Sequence, residues 1–176
     1  YNVMFSQRGV YNIGHTLQDM RDIERRVGAN RLNGIDAEVV GPEEIKRAIP
    51  LIDTSSSARY PILGASLQRR AGVARHDAVA WGFARAADPL GVDIIEQCEV
   101  TGINMQGNKG AGVETTRGTL EAPRVGVVVA GNASVVAGMA GLRRPVESHP
   151  LQAFVSEPLK PVLDTVVMSG AVHGYI

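Results

Sequence analysis

Residues 125–130 read Val-Gly-Val-Val-Val-Ala, an unbroken apolar run closed by Gly131. Successive side chains of a strand point to opposite faces, so such a run leaves neither face suited to water. It predicts a strand buried on both sides, the place strands take in a parallel sheet. Ala133 to Met139, following Asn132, reads as a short helix. Strand, glycine and helix in that order predict an α/β chain. A small antiparallel meander comes just before, with turns at Gly107–Gly110 and Arg117–Gly118 and strands at 112–116 and 119–122.

The rest of the chain supplies more of the same class. Thr16 predicts the cap of a helix over 16–27, with Leu17, Met20, Ile23 and Val27 at three-to-four-residue spacing and Gly28-Ala29-Asn30 ending it. Short strands are predicted around residues 3–5, 9–11 and 37–40. Pro42 opens a second helix, with Glu43 and Glu44 facing its positive end and Pro50 closing it. Residues 51–74 read as loop. Asp77 reads as the N-cap of a helix through Ala87. Strands are predicted from Val92 through Ile103, over 146–157 and over 171–175. No internal repeat or low-complexity tract interrupts the series.

Composition limits the function. With 44% hydrophobic and 20% charged residues, the chain has the balance of a folded domain. Eighteen basic residues offset eighteen acidic ones, which removes the case for a general nucleic-acid binder. No apolar stretch is long enough to cross a bilayer, and the N-terminus lacks a secretory pattern. Cys98 is the single cysteine, so an internal disulfide is excluded and a reducing, cytoplasmic setting is expected. No His/Asp/Glu spacing suggests a metal site. The chain opens on Tyr1-Asn2-Val3-Met4 and closes inside an alternating run, which suggests the interior of a longer protein.

Several motifs carry a resemblance. Arg75-His76-Asp77-Ala78, Glu99-Val100, Gly112-Val113-Glu114-Thr115-Thr116-Arg117-Gly118, Val129-Ala130-Gly131-Asn132-Ala133-Ser134 and Pro150-Leu151-Gln152-Ala153 resemble the FAD-dependent D-amino-acid oxidase and glycine oxidase superfamily. Ala29-Asn30-Arg31-Leu32-Asn33-Gly34, Ala58-Arg59-Tyr60-Pro61, Leu67-Gln68-Arg69-Arg70 and the run from Ala74 to Gly82 are similar to the beta subunits of heterotetrameric sarcosine oxidases. The resemblance covers essentially the whole chain. It implies part of a Rossmann-like FAD-binding domain with a β-meander over residues 70–146. Residues 1–69 and 147–176 then belong to an α+β substrate-binding, subunit-contacting lobe. It also implies oxidation of sarcosine at noncovalent FAD and electron passage to a covalent FMN and then to oxygen. The products are glycine, a one-carbon unit at the formaldehyde level and hydrogen peroxide. An alpha-type subunit, further small subunits and tetrahydrofolate held by a partner subunit complete the implied assembly.

The resemblance assigns roles residue by residue. His76 matches the histidine that carries FMN; without the resemblance it reads as a solvated or capping histidine. Arg75 and Arg70 are candidates to offset flavin phosphate charge. Val100 matches a position whose backbone contacts the adenine of FAD, and otherwise reads as a core valine. Ala130 and Gly131 match a point of close backbone approach to FAD, and otherwise form an ordinary strand-to-helix turn. His173 is a candidate catalytic residue on the substrate side, or a strand histidine facing solvent or another subunit.

One absence bears on cofactor binding. The sequence holds no Gly-x-Gly-x-x-Gly, the fingerprint that cradles a dinucleotide pyrophosphate. The 176-residue chain alone is therefore expected to bind FAD poorly and to be inactive. Two other readings stay open: a single-flavin amino-acid or proline dehydrogenase in which His76 carries nothing, and a noncatalytic scaffold module.

Overall fold

The computed structural model describes residues 2–171 and 173–176. In chain order its elements are β1 (Ser6–Gln7), β2 (Val10–Gly14), α1 (Leu17–Leu32), β3 (Ala37–Val40), α2 (Pro42–Ala48), β4 (Gly64–Gln68), β5 (Gly72–Val73) and α3 (His76–Ala87). There follow β6 (Val100–Gln106), β7 (Lys109–Thr115), β8 (Gly118–Glu121), α4 (Ala133–Met139), β9 (Val166–Ser169) and β10 (Gly174–Tyr175). Mixed sheets with helices make this the expected α/β class. The chain divides into two compact units, Tyr1–Leu90 with Pro158–Ile176, and Gly91–Glu157.

The first unit is built on a five-stranded sheet in the order β10-β9-β2-β4-β3. β4 runs antiparallel to both β2 and β3, and β2 runs parallel to β9. Tyr11 and Ile13 of β2, Leu67 and Ala65 of β4 and Val167 of β9 bury one face against Ile45 and Ile49, from α2 and its C-terminal end. Ile23 and Val27 of α1 pack with Ala37 from the other face. α1 starts where the sequence predicts: the Thr16 hydroxyl accepts from Asp19 N–H, and the Asp19 carboxylate accepts from Thr16 N–H, a reciprocal capping box. It runs on through Gly28 to Leu32, because the apolar face continues to Val27 and Asn33 caps the last carbonyls. α2 begins at Pro42 as expected, with Glu43 and Glu44 in its first turn.

The second unit is the predicted meander, β6-β7-β8, all antiparallel. A polar tie crosses it: Asn104 and Thr119 both donate to the Glu114 carboxylate, at 2.7 Å each. Those two bonds lower the Glu114 pKa. Gly112 sits at φ +148, where an added Cβ would lie 2.2 Å from the Leu120 carbonyl oxygen, so the close pairing of β7 with β8 requires glycine here.

Several expected elements differ. Residues 125–129 belong to no sheet, and Val128 is almost fully exposed. A parallel strand exists only through its neighbours, and among the described residues no strand pairs with this run. Residues 92–99 and 146–157 are likewise free of strand pairing. Residues 3–5 are irregular too, and the first strand is Ser6–Gln7. Conversely β4, within the stretch read as loop, is interior to the larger sheet. β9 is a further strand that the sequence reading does not anticipate. Of the strand expected over 171–175, Gly174 and Tyr175 pair with β9, and Val172 lies outside the described residues.

Candidate functional site

His76 is the first residue of α3, and its side chain is exposed. The capping position belongs to Arg75 rather than to Asp77 as expected, so Asp77 stands one residue inside the helix. Its carboxylate is taken by Arg75, with Nε to Oδ1 at 3.2 Å and Nη2 to Oδ2 at 2.8 Å, and by Ala78 N–H at 2.9 Å. The Arg75 guanidinium, then the amide, hold the Asp77 carboxyl down at about 2. The same pair raises the Arg75 pKa. Arg70 is likewise paired, donating through Nε to both carboxylate oxygens of Asp36. Both arginines proposed to offset phosphate charge are therefore engaged within the chain.

The backbone leading to His76 is braced. β5 pairs antiparallel with β1, Ser6 against Val73 and Gln7 against Gly72. Arg75 N–H reaches the Val3 carbonyl at 3.3 Å. An added Cβ on Gly72 would lie 1.9 Å from the Ser6 carbonyl oxygen, so the approach of the two strands depends on glycine.

Val100 opens β6, half-buried, paired with Thr115 of β7. β6 is an edge strand, so its outer backbone groups meet no strand among the described residues. Ala130 has φ +43 and begins a single 3-10 turn that leads into α4. At Gly131 an added Cβ would meet only Ser148 Oγ, at 3.8 Å, and the Gly131 carbonyl accepts from that hydroxyl. His173 is exposed with φ +48, and its N–H points to the Gly170 carbonyl at 3.4 Å. His76 and His173 thus belong to the first unit, and Val100, Ala130 and Gly131 to the second.

The histidine with the most partners is one for which the sequence shows no partner pattern. His15 Nδ1 lies 3.0 Å from the Tyr60 carbonyl oxygen and 3.2 Å from that of Pro61, and Nε2 lies 2.9 Å from Ser169 Oγ. Its own N–H donates to Asp19 at 3.0 Å. The His15 N–H is the leading cause of the lowered Asp19 pKa, ahead of the Thr16 hydroxyl and amide. These partners come from 45 and 154 residues away, which no local spacing signals. His149 lines an open depression with Arg143, Arg144 and Glu147. Among the described residues no group of three His, Cys, Asp or Glu converges as metal ligands. None of the described helices is long and apolar enough to cross a membrane.

Residues 1–175 match the family described as FAD dependent oxidoreductase. The chain belongs to that family. It is 53% identical over all 176 residues to "Sarcosine oxidase subunit beta" of Arthrobacter sp, and 52% identical to the protein of the same name in Rhizobium meliloti (strain 1021). The chain spans 44% and 42% of those relatives' lengths. Among solved structures it is similar to an L-proline dehydrogenase from P. horikoshii, with a TM-score of 0.72 at 22% identity. That match covers 97% of this chain and 46% of the other, and at this identity it speaks for the fold.

The family implies FAD, and the residues in hand fit part of it. The free edge of β6 at Val100 suits a base edge, which is read by backbone amides and carbonyls. The left-handed backbone at Ala130 and the open space around Gly131 suit close approach of a cofactor. A pyrophosphate cradle of the Gly-x-Gly-x-x-Gly kind is not among these 176 residues.

Proposed function

We propose that this chain is part of a flavoprotein subunit that oxidatively demethylates sarcosine, a secondary amine, to glycine. The observation that carries the proposal is the 53% identity, across every residue of the chain, to a protein named sarcosine oxidase subunit beta. FAD supplies the two-electron oxidation of the amine to an imine. His76 would hold FMN covalently, and that group would supply the onward transfer of the electrons to oxygen, giving hydrogen peroxide. Hydrolysis of the imine gives glycine and a formaldehyde-level one-carbon unit, which tetrahydrofolate on a partner subunit accepts.

Within this reading the chain's own residues hold and orient. Residues 70–146 contribute to the FAD-binding domain, with Val100, Ala130 and Gly131 offering backbone. Residues 1–69 and 147–176 form the substrate lobe, with His173 on the substrate side. His76 offers an imidazole nitrogen from an exposed position at the start of α3, on a backbone braced by β1. That exposure supports its role, since a ring packed in a core could not reach a flavin methyl carbon. An alpha-type subunit and smaller subunits complete the heterotetramer, in the cytoplasm.

The test is the intact mass of the full-length subunit, expressed with its partner subunits and denatured in acid. Retention of a flavin mass that maps to the peptide holding His76, and its loss in H76A, is the expected result. Release of all flavin by acid would overturn the FMN role and favour a single-flavin dehydrogenase. A protein that carries no flavin at all would favour a scaffold.

A further inference from the structure

His15 follows β2, and β2 runs parallel to β9 with Ile13 opposite Ser169. The imidazole therefore stands at the end of the sheet where β9 leaves toward His173. Both groups near Nδ1 are carbonyl oxygens, of Tyr60 and Pro61, which can only accept. Nδ1 therefore carries the hydrogen, shared between the two. In the neutral ring this contact fixes the tautomer and leaves the Nε2 lone pair to accept the Ser169 O–H, with Nε2 and Oγ 2.9 Å apart. The ring is held further by the edge of Tyr60, at 6.4 Å between centroids and 76° between planes. Its backbone is held by Asp19 of the capping box.

We propose that His15 is a positioning residue: by fixing the Ser169 end of β9, it sets where the β9–β10 connection carries His173. The inference rests on the reading of His173 as a substrate-side residue. Three segments meet at this one residue, the loop at residues 60–61 and the end of β9 on its ring and the start of α1 on its backbone N–H. β10 is only two residues long and, among the described residues, pairs with β9 alone, with Gly174 opposite Ser169 itself. A short edge hairpin has few bonds of its own to fix its tip. The His15–Ser169 bond adds a tether at the strand end nearest that tip.

The test uses the full-length subunit assembled with its partner subunits and loaded with flavin. Hydrogen exchange is measured over the peptide spanning 166–176, and KM and kcat for sarcosine are measured beside it. S169A removes the hydroxyl. H15N keeps a donor where Nδ1 stands but does not reach Ser169, whereas H15Q places its amide where Nε2 stands. The expected result is faster exchange in S169A and H15N alike, no further increase in the double variant, and recovery in H15Q. With it comes a drop in kcat/KM of roughly tenfold to a hundredfold, as for a small misplacement of a group that meets substrate. Unchanged exchange in both single variants would overturn the proposal. So would faster exchange with kcat/KM lowered in H173A but untouched in H15N and S169A. Faster exchange with kcat/KM unchanged in all three upholds the positioning and overturns only the reading of His173.

Discussion

Gly72→Ala is the sharpest single perturbation of the path to His76. The added methyl would stand 1.9 Å from the Ser6 carbonyl oxygen and 2.9 Å from Gln7 Cα. The strands must open by about 1.5 Å to restore ordinary contact. Among the described residues β1 and β5 form a two-stranded sheet of their own, so no strand of the larger sheet has to open with them. β1 is two exposed residues, so it is the side that gives way. Forced backbone shifts of this kind cost about 1–3 kcal/mol. For a subunit more than twice this length, as the relatives are, that lowers Tm by roughly 1–5 °C. Scanning fluorimetry of the full-length subunit reads the shift, and hydrogen exchange over residues 70–78 reads the local opening. The expected pattern is faster exchange there, with residues 64–68 unchanged. Unchanged Tm together with unchanged exchange would show that β1 does not brace β5, and the account of how His76 is presented would fall.

Two further outcomes are expected. Ile45→Ala, at a side chain with no exposed surface, should cost about 2–5 kcal/mol in a denaturant titration, because α2 and the sheet cannot both close over the lost atoms. The Asp77 carboxyl, held at about 2 by Arg75, has a folded value below its unfolded one. Its contribution is full above the ordinary carboxylate range and is lost as the pH falls toward 2. A carboxylate NMR titration should show this midpoint, and Arg75→Gln should move it upward.

The legible parts of the fold are those with local causes. The capping box at Thr16, the proline at the start of α2 and the glycine turns of the meander act within a few residues of themselves. β4 was hidden because Gly64-Ala65-Ser66-Leu67-Gln68 holds no β-branched or aromatic residue, and its alternation of apolar Ala65 and Leu67 with polar Ser66 and Gln68 spans only four residues. It is buried on both faces between α1 and α2, and even its polar Ser66 is buried, so its polar side is not a solvent face. The run at 125–130 shows the reverse. Its apolar character is real, but pairing is a property of two strands, and side chains alone do not supply the second. At the site, the sequence located His76 at the start of a helix but assigned the cap to Asp77, because a carboxylate there is a common cap and its capture by Arg75 is a side-chain event. His15 was invisible for the same reason that β9 was: both depend on partners far along the chain.

The parallel pairing of β2 with β9 also has a consequence in time. Val10 lies beside Val166, with all of the second unit threaded between. During synthesis β2, β3 and β4 emerge early and can pair at once. Ninety-eight positions separate the end of β4 at Gln68 from the start of β9 at Val166. At ribosomal rates that is an interval of about 5–20 s. Through it β2 presents an unpaired edge, and Tyr11 and Ile13 lack the Val167 that packs beside them in the finished core. The nascent first unit is therefore a sheet waiting for its last two strands, and the interval in which it is most exposed to wrong partners is set by the length of the second.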